Sequence, residues 1–331
     1  MDFRNLLVDP FDKLGHRSFY QPCCQLGPYP TNPGQSESGW PLNLSNIDWA
    51  DTSIAVVQCY DFLTVTQQQC IELTAIETHY AQHSNKVVVA HWECELDRVY
   101  QGALNLVYFP CHNFQFIKSV TALKDKWADL LDRPRGTVWQ SLNGRISDHR
   151  RKTAHLLKNL NNGKLSLGNE IPLDIWPYST YRGTENEDNW IRLLPIYSDC
   201  DINVVTETIY DNPVGIISEK TLMAFLALQV PILIGYQGII DHGEKLGFDM
   251  FRDIVDTSYD HMPNQDRLTA AIEKNKFLLT NGIDRNKLLR RLKANQDWLI
   301  HGWPNQLINN YQNKINDIHS RLAKSANHHT V

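Results

Sequence analysis

Short, mainly apolar runs recur along the chain and alternate with polar segments of helical character. They lie at residues 54–57, 86–90, 104–109, 137–142, 202–207 and 230–235. Runs of this kind are typical of strands buried on both faces, as in a parallel sheet. Because helical segments separate them, the pattern predicts an α/β fold with parallel sheets.

The length of the chain and one interruption of this pattern predict how it divides into domains. A chain of 331 residues is long for a single hydrophobic core and suits two. A polar stretch ending at 132–136 separates the two series of apolar runs. We therefore expect an N-terminal α/β domain at 1–135 and a second α/β domain at 136–275. Residues 276–331 are expected to form helices that pack on or across these domains.

The charge balance argues against a protein built around nucleic-acid binding. The formal net charge is -5 and the isoelectric point is about 6.2. The molecule therefore lacks the basic footprint that a nucleic-acid backbone requires. Residues 1–135 contain ten Lys and Arg against fifteen Asp and Glu, while the rest of the chain is balanced. The excess of negative charge thus belongs to the N-terminal segment.

Cysteine usage and the lack of long apolar runs bear on the compartment. The seven cysteines show no C-x-x-C spacing, which favours free thiols in a reducing environment. No metal site is expected, because Cys23-Cys24 and Cys111-His112 have no second ligand pair. No signal-length apolar core opens the chain, and no run approaches the ~20 apolar residues that span a bilayer. The sequence predicts a soluble, cytoplasmic protein without a membrane span.

Two segments of the second half contain a helix start that follows a strand. In the first, the chain turns at Asn143-Gly144, and Arg150 follows in the first turns of a helix. In the second, Ser218 is a natural N-cap for the helix that Glu219 begins. Open α/β sheets bind ligands at the carboxyl ends of their strands, where helix N-termini direct N–H groups at anions. Both segments are candidate parts of an anion-binding site.

A carboxylate and an ammonium group stand side by side at the second helix start. Glu219 can accept hydrogen bonds from vicinal ribose hydroxyls, and Lys220 can neutralise phosphate oxygens. A sugar nucleotide presents both groups. The alternative is structural: Glu219 complements the helix dipole, worth ~0.3–1 kcal/mol, and Lys220 is solvated.

The same residues resemble the donor-binding signature of the α1,3-fucosyltransferases. That signature reads approximately F-E-N-S, Y-I-T-E-K and V-P-V-V-x-G, and residues 203–208, 217–220 and 230–235 follow it in the same order with near-identical spacing. Upstream, Ser141, Asn143 and Arg150 are similar to the family's S-N-(x)n-R element. The segment 246–260 is similar to uncharacterised fucosyltransferase-like proteins of bacteria and phages.

The resemblance implies a GT-B fold, in which two Rossmann-like domains face each other across a cleft. It also implies activity without a metal ion, and no cofactor besides the nucleotide-sugar donor. Arg150 and Lys220 would hold the diphosphate, Glu219 the ribose, and Glu207 the donor sugar or its position. The base and the sugar stay open, because Ile216 replaces the family's Tyr and F-E-N-S is replaced by Thr206-Glu207-Thr208.

Without a metal ion, fixed positive charge must stabilise the departing diphosphate. We assign this role to Arg150 and Lys220, with Arg145 or Arg182 as a further cation. Asn143 and Ser218 complete the expected donor site.

Inversion at the sugar carbon needs a general base that takes the proton of the acceptor hydroxyl. Such a base is expected at strand ends of the N-terminal domain. The candidates are Glu93, Glu95 and Asp61.

The acceptor and the activity itself have alternatives. A cell-surface or lipopolysaccharide glycan is favoured as acceptor, because the N-terminal segment is acidic. The second possibility is a hydroxymethylated pyrimidine in phage DNA, in which case the protein acts in the host cytoplasm. A third is a module that binds nucleotides or glycans without turnover. The basic cluster at 285–293 is expected to be a solvated face, with an anionic acceptor as the alternative.

Overall fold

The chain forms an α/β structure with parallel sheets, as the hydrophobic pattern predicts. The computed structural model describes residues 3–24, 47–49, 53–59, 73–74, 77–78, 81–91, 96, 99–172, 188–212 and 214–327. The helices are α1 (Phe3–Leu7), α2 (Asp9–Lys13), α3 (Cys111–Ala122), α4 (Asp148–Leu157), α5 (Asp188–Tyr197), α6 (Glu219–Leu226), α7 (Ile239–Lys245), α8 (Asn264–Lys274), α9 (Lys276–Asn281), α10 (Arg285–Asp297) and α11 (Trp303–Asn327). Among the described residues, no helix is both long enough and apolar enough to cross a bilayer.

The chain divides into two compact units. Unit 1 consists of Met1–His112, Asn212–Val214 and Asn305–Val331, and unit 2 of Asn113–Asp211 and Gly215–Pro304. This division differs from the expected segments, because 113–135 belongs to unit 2. Two hydrogen bonds explain the difference: Asn113 Nδ2 donates to the Ile217 carbonyl at 2.7 Å, and Arg135 Nη2 donates to the Ala227 carbonyl at 3.0 Å.

The expected C-terminal segment 276–331 is likewise split between the units. Helices α9 and α10 belong to unit 2, whereas the chain from Asn305 onward belongs to unit 1. Within unit 1, the Tyr311 hydroxyl on α11 donates to the Leu7 carbonyl at 2.8 Å. On the same helix, His319 lies 2.8 Å from His16, measured between ring nitrogens. The last helix therefore holds the N-terminal residues in place through these contacts.

Unit 1 contains a four-stranded parallel sheet whose strands follow one another in chain order. The strands are β1 (Ser18–Cys24), β2 (Ile54–Cys59), β3 (Val87–His91) and β4 (Asn105–Tyr108), in the order β1-β2-β3-β4. Strand β3 is buried along its whole length, and its Val87 and Val89 share a core with Ala55 and Val57 of β2. These are the uninterrupted apolar runs of the sequence.

Unit 2 contains a second four-stranded parallel sheet, but its strand order reverses. The strands are β5 (Thr137–Asn143), β6 (Gly163–Leu167), β7 (Cys200–Thr206) and β8 (Val230–Ile234), in the order β6-β5-β7-β8. The chain moves from β5 to one neighbour and then returns to the other. This order is compatible with a Rossmann-like fold, and it places a topological switch point between β5 and β7.

Candidate functional site

The switch point of unit 2 brings polar residues together at the carboxyl ends of two strands. Asn143 ends β5, Thr206 ends β7, and Glu207 follows immediately. The Thr206 hydroxyl donates a hydrogen bond to Asn143 Oδ1, which joins the two strand ends. Both side chains are buried, at 2% and 1% exposure. Ligands of open α/β sheets bind in the crevice outside such a point.

Arg150 lies in the first turn of α4 and presents a buried guanidinium group at this point. Its exposure is 3%. Nη1 donates to the Arg145 carbonyl at 3.2 Å and Nη2 to the Thr206 carbonyl at 3.4 Å, while Nε has no hydrogen-bond partner. Burial lowers the pKa of Arg150, and the charges of Glu207 and Glu219 oppose this effect.

The contacts of Arg150 suit it to binding an anion. Its two hydrogen bonds are long and go to neutral carbonyls, and no ion pair of Arg150 occurs among the described residues. A guanidinium group keeps its charge in a protein, and a buried charge is costly unless it is paired. An anion bound next to Arg150 would supply the missing partner.

Glu207 connects the end of β7 to the start of α6. Its Oε1 accepts the Ser218 N–H at 3.0 Å and the Thr221 hydroxyl at 2.6 Å, while Oε2 has no partner. The side chain is fully buried. A Cβ on Gly235, directly after β8, would lie 3.3 Å from Glu207 Cβ and 2.7 Å from Ile239 Cδ1, so a larger residue there would press on both side chains. Glu207 therefore sets the position of the α6 N-terminus.

The N-terminus of α6 carries the predicted cap and its two charged neighbours. Ser218 Oγ accepts the Lys220 N–H at 3.3 Å, as expected of an N-cap. Lys220 Nζ donates to Glu219 Oε1 at 2.9 Å. Because the Lys220 and Glu219 side chains are 21% and 26% exposed, both can still be reached by a ligand.

The far end of α6 is held by three side chains. Gln296 Nε2 donates to the Leu226 carbonyl, Arg135 Nη2 to that of Ala227 and Arg285 Nη1 to that of Leu228. These carbonyls would otherwise lack intrahelical partners. Positive charge at a helix C-terminus also stabilises the helix dipole. Helix α6 is thus fixed at both ends.

A stack of rings borders the site and was not foreseen as part of it. His149 Nε2 lies 2.9 Å from the Glu207 carbonyl oxygen and Nδ1 lies 3.2 Å from Ser147 Oγ. The ring stacks on Tyr210 at 5.3 Å, and the Arg267 guanidinium lies 4.6 Å from the centre of the Tyr210 ring. Burial lowers the pKa of His149. The imidazole acts as a neutral support for Glu207.

The structure assembles six of the expected donor-site residues around the switch point and α6. They are Asn143, Arg150, Glu207, Ser218, Glu219 and Lys220. The side chain of Arg145 is exposed. Its positive charge is close enough to lower the pKa of Arg150. Arg182 lies outside the described residues, as do the three candidate bases Glu93, Glu95 and Asp61.

The basic cluster on α10 is partly neutralised within unit 2. Arg291 donates to Asp249 and Asp253 at 2.6 and 2.7 Å, and Arg285 lies 3.3 Å from Asp201. These carboxylates occupy the guanidinium groups, so the cluster offers fewer free cations than its sequence indicates.

In the described part of the chain, one group of side chains has metal-ligand spacing. Ligand atoms of Asp241, Asp260 and His261 lie within 4.8 Å of one another. Asp241 is already paired, because it accepts a hydrogen bond from Arg252 and lies 3.0 Å from His261 Nε2. Asp260 Oδ2 accepts the Ile240 N–H at 3.0 Å. These contacts connect α7 to the loop before α8, so the three side chains are explained by a structural role.

Comparison of the chain with protein-family models, with curated proteins and with solved structures gives no match. The function must therefore be inferred from the chemistry of these side chains. The relevant combination is a buried guanidinium group, an ammonium group at a helix N-terminus and a carboxylate next to it.

Proposed function

We propose that the chain is an inverting, metal-independent glycosyltransferase of the GT-B type, which transfers a sugar from a nucleotide-diphosphate donor to a hydroxyl acceptor. The observation that carries this proposal is the buried Arg150, with its unpartnered Nε, at the same switch point as Lys220 on the α6 N-terminus. Two cations and a helix dipole suit a pyrophosphate group. The adjacent Glu219 suits the ribose hydroxyls.

In the reaction, the acceptor oxygen attacks the anomeric carbon of the donor sugar. The bond from this carbon to the diphosphate oxygen breaks, and the diphosphate leaves with the bonding electrons. Arg150 and Lys220 stabilise the charge that develops on it. A general base takes the acceptor proton, and the candidates remain Glu93, Glu95 and Asp61. Glu207 does not react but positions α6.

The same proposal assigns a different substrate to each unit. Unit 2 binds the donor at its switch point, and the parallel sheet of unit 1 binds the acceptor. A glycan is the favoured acceptor, given the negative charge of residues 1–135.

The experiment that tests the proposal is a panel of nucleotide sugars carrying GDP, UDP, CMP and TDP. Release of the free nucleotide is measured with and without glycan acceptors, so that slow hydrolysis by water is also detected. We expect release from one diphosphate sugar without added metal. Tight binding with no release would favour the binding module instead. Salt-dependent retention on duplex DNA would favour the DNA acceptor.

Lys220→Ala makes this test specific to α6. The loss of one preorganised charge should cost ~2–4 kcal/mol of transition-state stabilisation, measured as kcat/KM for the released nucleotide. Folding should hardly change, because the side chain is partly exposed. The matched control is Lys118→Ala, an exposed lysine on α3. Unchanged turnover and nucleotide affinity in Lys220→Ala would remove α6 as the donor site.

A further inference from the structure

The orientation of the His149 ring is fixed through both of its nitrogen atoms. A carbonyl oxygen can only accept, so Nε2 donates to the Glu207 carbonyl at 2.9 Å. In the neutral ring Nδ1 is then an acceptor, and the Ser147 hydroxyl lies 3.2 Å from it. Burial lowers the pKa of His149, which favours this neutral form. The ring therefore has little freedom to turn.

One face of this ring is backed by Tyr210. The two rings are nearly parallel, at 9°, with their centroids 5.3 Å apart. The Tyr210 hydroxyl donates to the Asn264 carbonyl at 2.6 Å and accepts the Leu268 N–H at 3.1 Å. The Arg267 guanidinium lies 4.6 Å from the centre of the Tyr210 ring. His149 thus rests on a buried ring that is itself anchored to α8.

The opposite face of His149, turned away from Tyr210, is here called its outer face. The residue is half-buried, and in the described part of the chain its side-chain hydrogen bonds and ring contacts are those to Ser147, Glu207 and Tyr210. Because these contacts occupy both nitrogens and one face, the exposed part of the ring includes the outer face. An aromatic face of this kind suits another flat ring.

The outer face lies next to the proposed phosphate site. His149 and Arg150 are consecutive residues of α4, and they bond consecutive carbonyls at the end of β7, those of Glu207 and Thr206. In a nucleotide, only the ribose separates the base from the phosphates. A nucleotide whose diphosphate contacts Arg150 can therefore lay its base on the neighbouring ring.

We propose that the outer face of His149 is the stacking surface for the nucleobase of the donor. The proposal rests on the proposed function and deepens it, because it assigns the base to the N-terminal turn of α4. Every base has a π face, so stacking supplies affinity for a nucleotide with little choice between bases. A ring that is already held in place loses little conformational freedom when the base binds.

Two substitutions separate stacking from the support of Glu207. His149→Gln keeps an amide N–H that can donate to the Glu207 carbonyl but has no ring, whereas His149→Phe keeps a flat ring but has no donor. Affinities for GDP, UDP, TDP and inorganic pyrophosphate are measured by calorimetry on the full chain. Thermal unfolding of each variant checks that the fold is kept. His155→Gln is the matched control, since His155 is an exposed histidine of the same helix.

The expected pattern is a loss that depends on both the base and the ring. His149→Gln should weaken binding of the nucleoside diphosphates about tenfold, the order of one base stacked on an aromatic side chain, with pyrophosphate affinity within about twofold. His149→Phe should keep nucleotide affinity within about threefold, since its ring still offers a π face. In the unmodified chain, NMR should show NOEs between base protons and the His149 ring protons.

Three results would overturn the stacking surface and leave the donor site standing. The first is nucleotide affinity that falls as far in His149→Phe as in His149→Gln, because the ring would then only support Glu207. The second is a lack of NOEs between the ring and the base of a bound nucleotide. The third is a loss confined to the nucleotide sugar, which would assign the ring to the donor sugar. If the unmodified chain binds neither the nucleoside diphosphates nor pyrophosphate, the proposed function fails as well.

Discussion

The two parallel sheets of this protein differ in one topological respect. In unit 1 the described strands keep their chain order, whereas in unit 2 the chain turns back after β6 and crosses β5 to form β7. Right-handed crossovers in opposite directions place their helices on opposite faces of a sheet. In unit 2, α4 packs with α8, while α5 and α10 pack with α6. Arg150 and the N-terminus of α6 lie beside this reversal, where ligands of open α/β sheets generally bind.

The strand ends of the two sheets differ accordingly in chemistry. In unit 1, β3 and β4 end in His91 and Tyr108, whose rings meet edge to face at 6.2 Å. In unit 2, the corresponding ends carry Asn143 and Thr206, which bond to each other beside a buried cation. Similar apolar strands therefore carry different residues at their ends, and in unit 2 the polar ends lie where the strand order reverses.

The largest expected effect is on the affinity for a nucleoside diphosphate, and it is tested by substituting two adjacent arginines of α4. Arg150→Met should weaken binding of the nucleoside diphosphate by at least ~30-fold, the scale of a lost buried charge contact, as measured by calorimetry. The free energy of unfolding should change by less than ~1 kcal/mol, since loss of two long hydrogen bonds is offset by removal of a desolvated charge.

Arg151→Met is the matched control for this substitution. Arg151 is exposed and binds Glu170 at 2.7 Å, and such a surface ion pair contributes little to stability. Affinity should stay within about twofold. If Arg150→Met instead unfolds the protein while Arg151→Met does not, the role of Arg150 is structural, and it stabilises the contact between β7 and the β5–α4 turn.

A second, smaller effect is a difference between the two sheets in how far a bound ligand protects their amides from hydrogen exchange. At saturating nucleoside diphosphate, amide hydrogen exchange should slow by about tenfold or more at 143–150, 206–207 and 218–222. The strands β2, β3 and β4 of unit 1 should be unaffected. Mass spectrometry of peptic fragments measures both sets in one sample. Equal protection in unit 1 would show that the donor site is not confined to the reversed sheet.

The smallest effect is a pH dependence of stability, because the pKa of a histidine is lowered in each unit, His16 in unit 1 and His149 in unit 2. Burial and then His319 lower the pKa of His16 in unit 1, and burial lowers that of His149 in unit 2. Below about pH 6.5, the usual pKa of an unfolded histidine, the unfolded chain binds protons that the folded chain does not. Stability should therefore fall as the pH drops through this region.

Urea unfolding midpoints at pH 7.5 and 5.5 measure this loss. His16→Gln and His149→Gln should each reduce it, and the double variant should reduce it most, since the two sites lie in separate units. A midpoint that does not change with pH would mean that neither ring is kept neutral by folding.

The sequence predicts the central strands of both sheets because they are continuous apolar runs. It also predicts β4 and β8, each at one edge of its sheet, but it does not predict the edge strands β1 and β6. Strand β1 contains Pro22, which a sheet edge tolerates, and β6 is the polar run Gly163–Leu167, whose first residue leaves space for the Trp139 ring. Neither segment has an apolar pattern by which a strand could be distinguished from a loop.

The same limit applies to the site. The short-range features are visible in the sequence: a cap at Ser218, two charges after it, and Arg150 in the first turn of a helix. The contacts of Glu207 with Thr221 and of His149 with Tyr210 depend on which strands become neighbours. The unit boundaries depend on long-range bonds such as that of Arg135 to Ala227. Local propensity carries no information about these.

The two ends of α6 have separate consequences for how this protein can change. At the carboxyl end, Gln296, Arg135 and Arg285 bind successive carbonyls, and substitutions there should lower stability without altering what is bound. At the amino end, the partly buried side chains of Glu219 and Lys220 can be replaced while the helix stays in place. The charges at one end of the helix can therefore change without a loss of folding at the other.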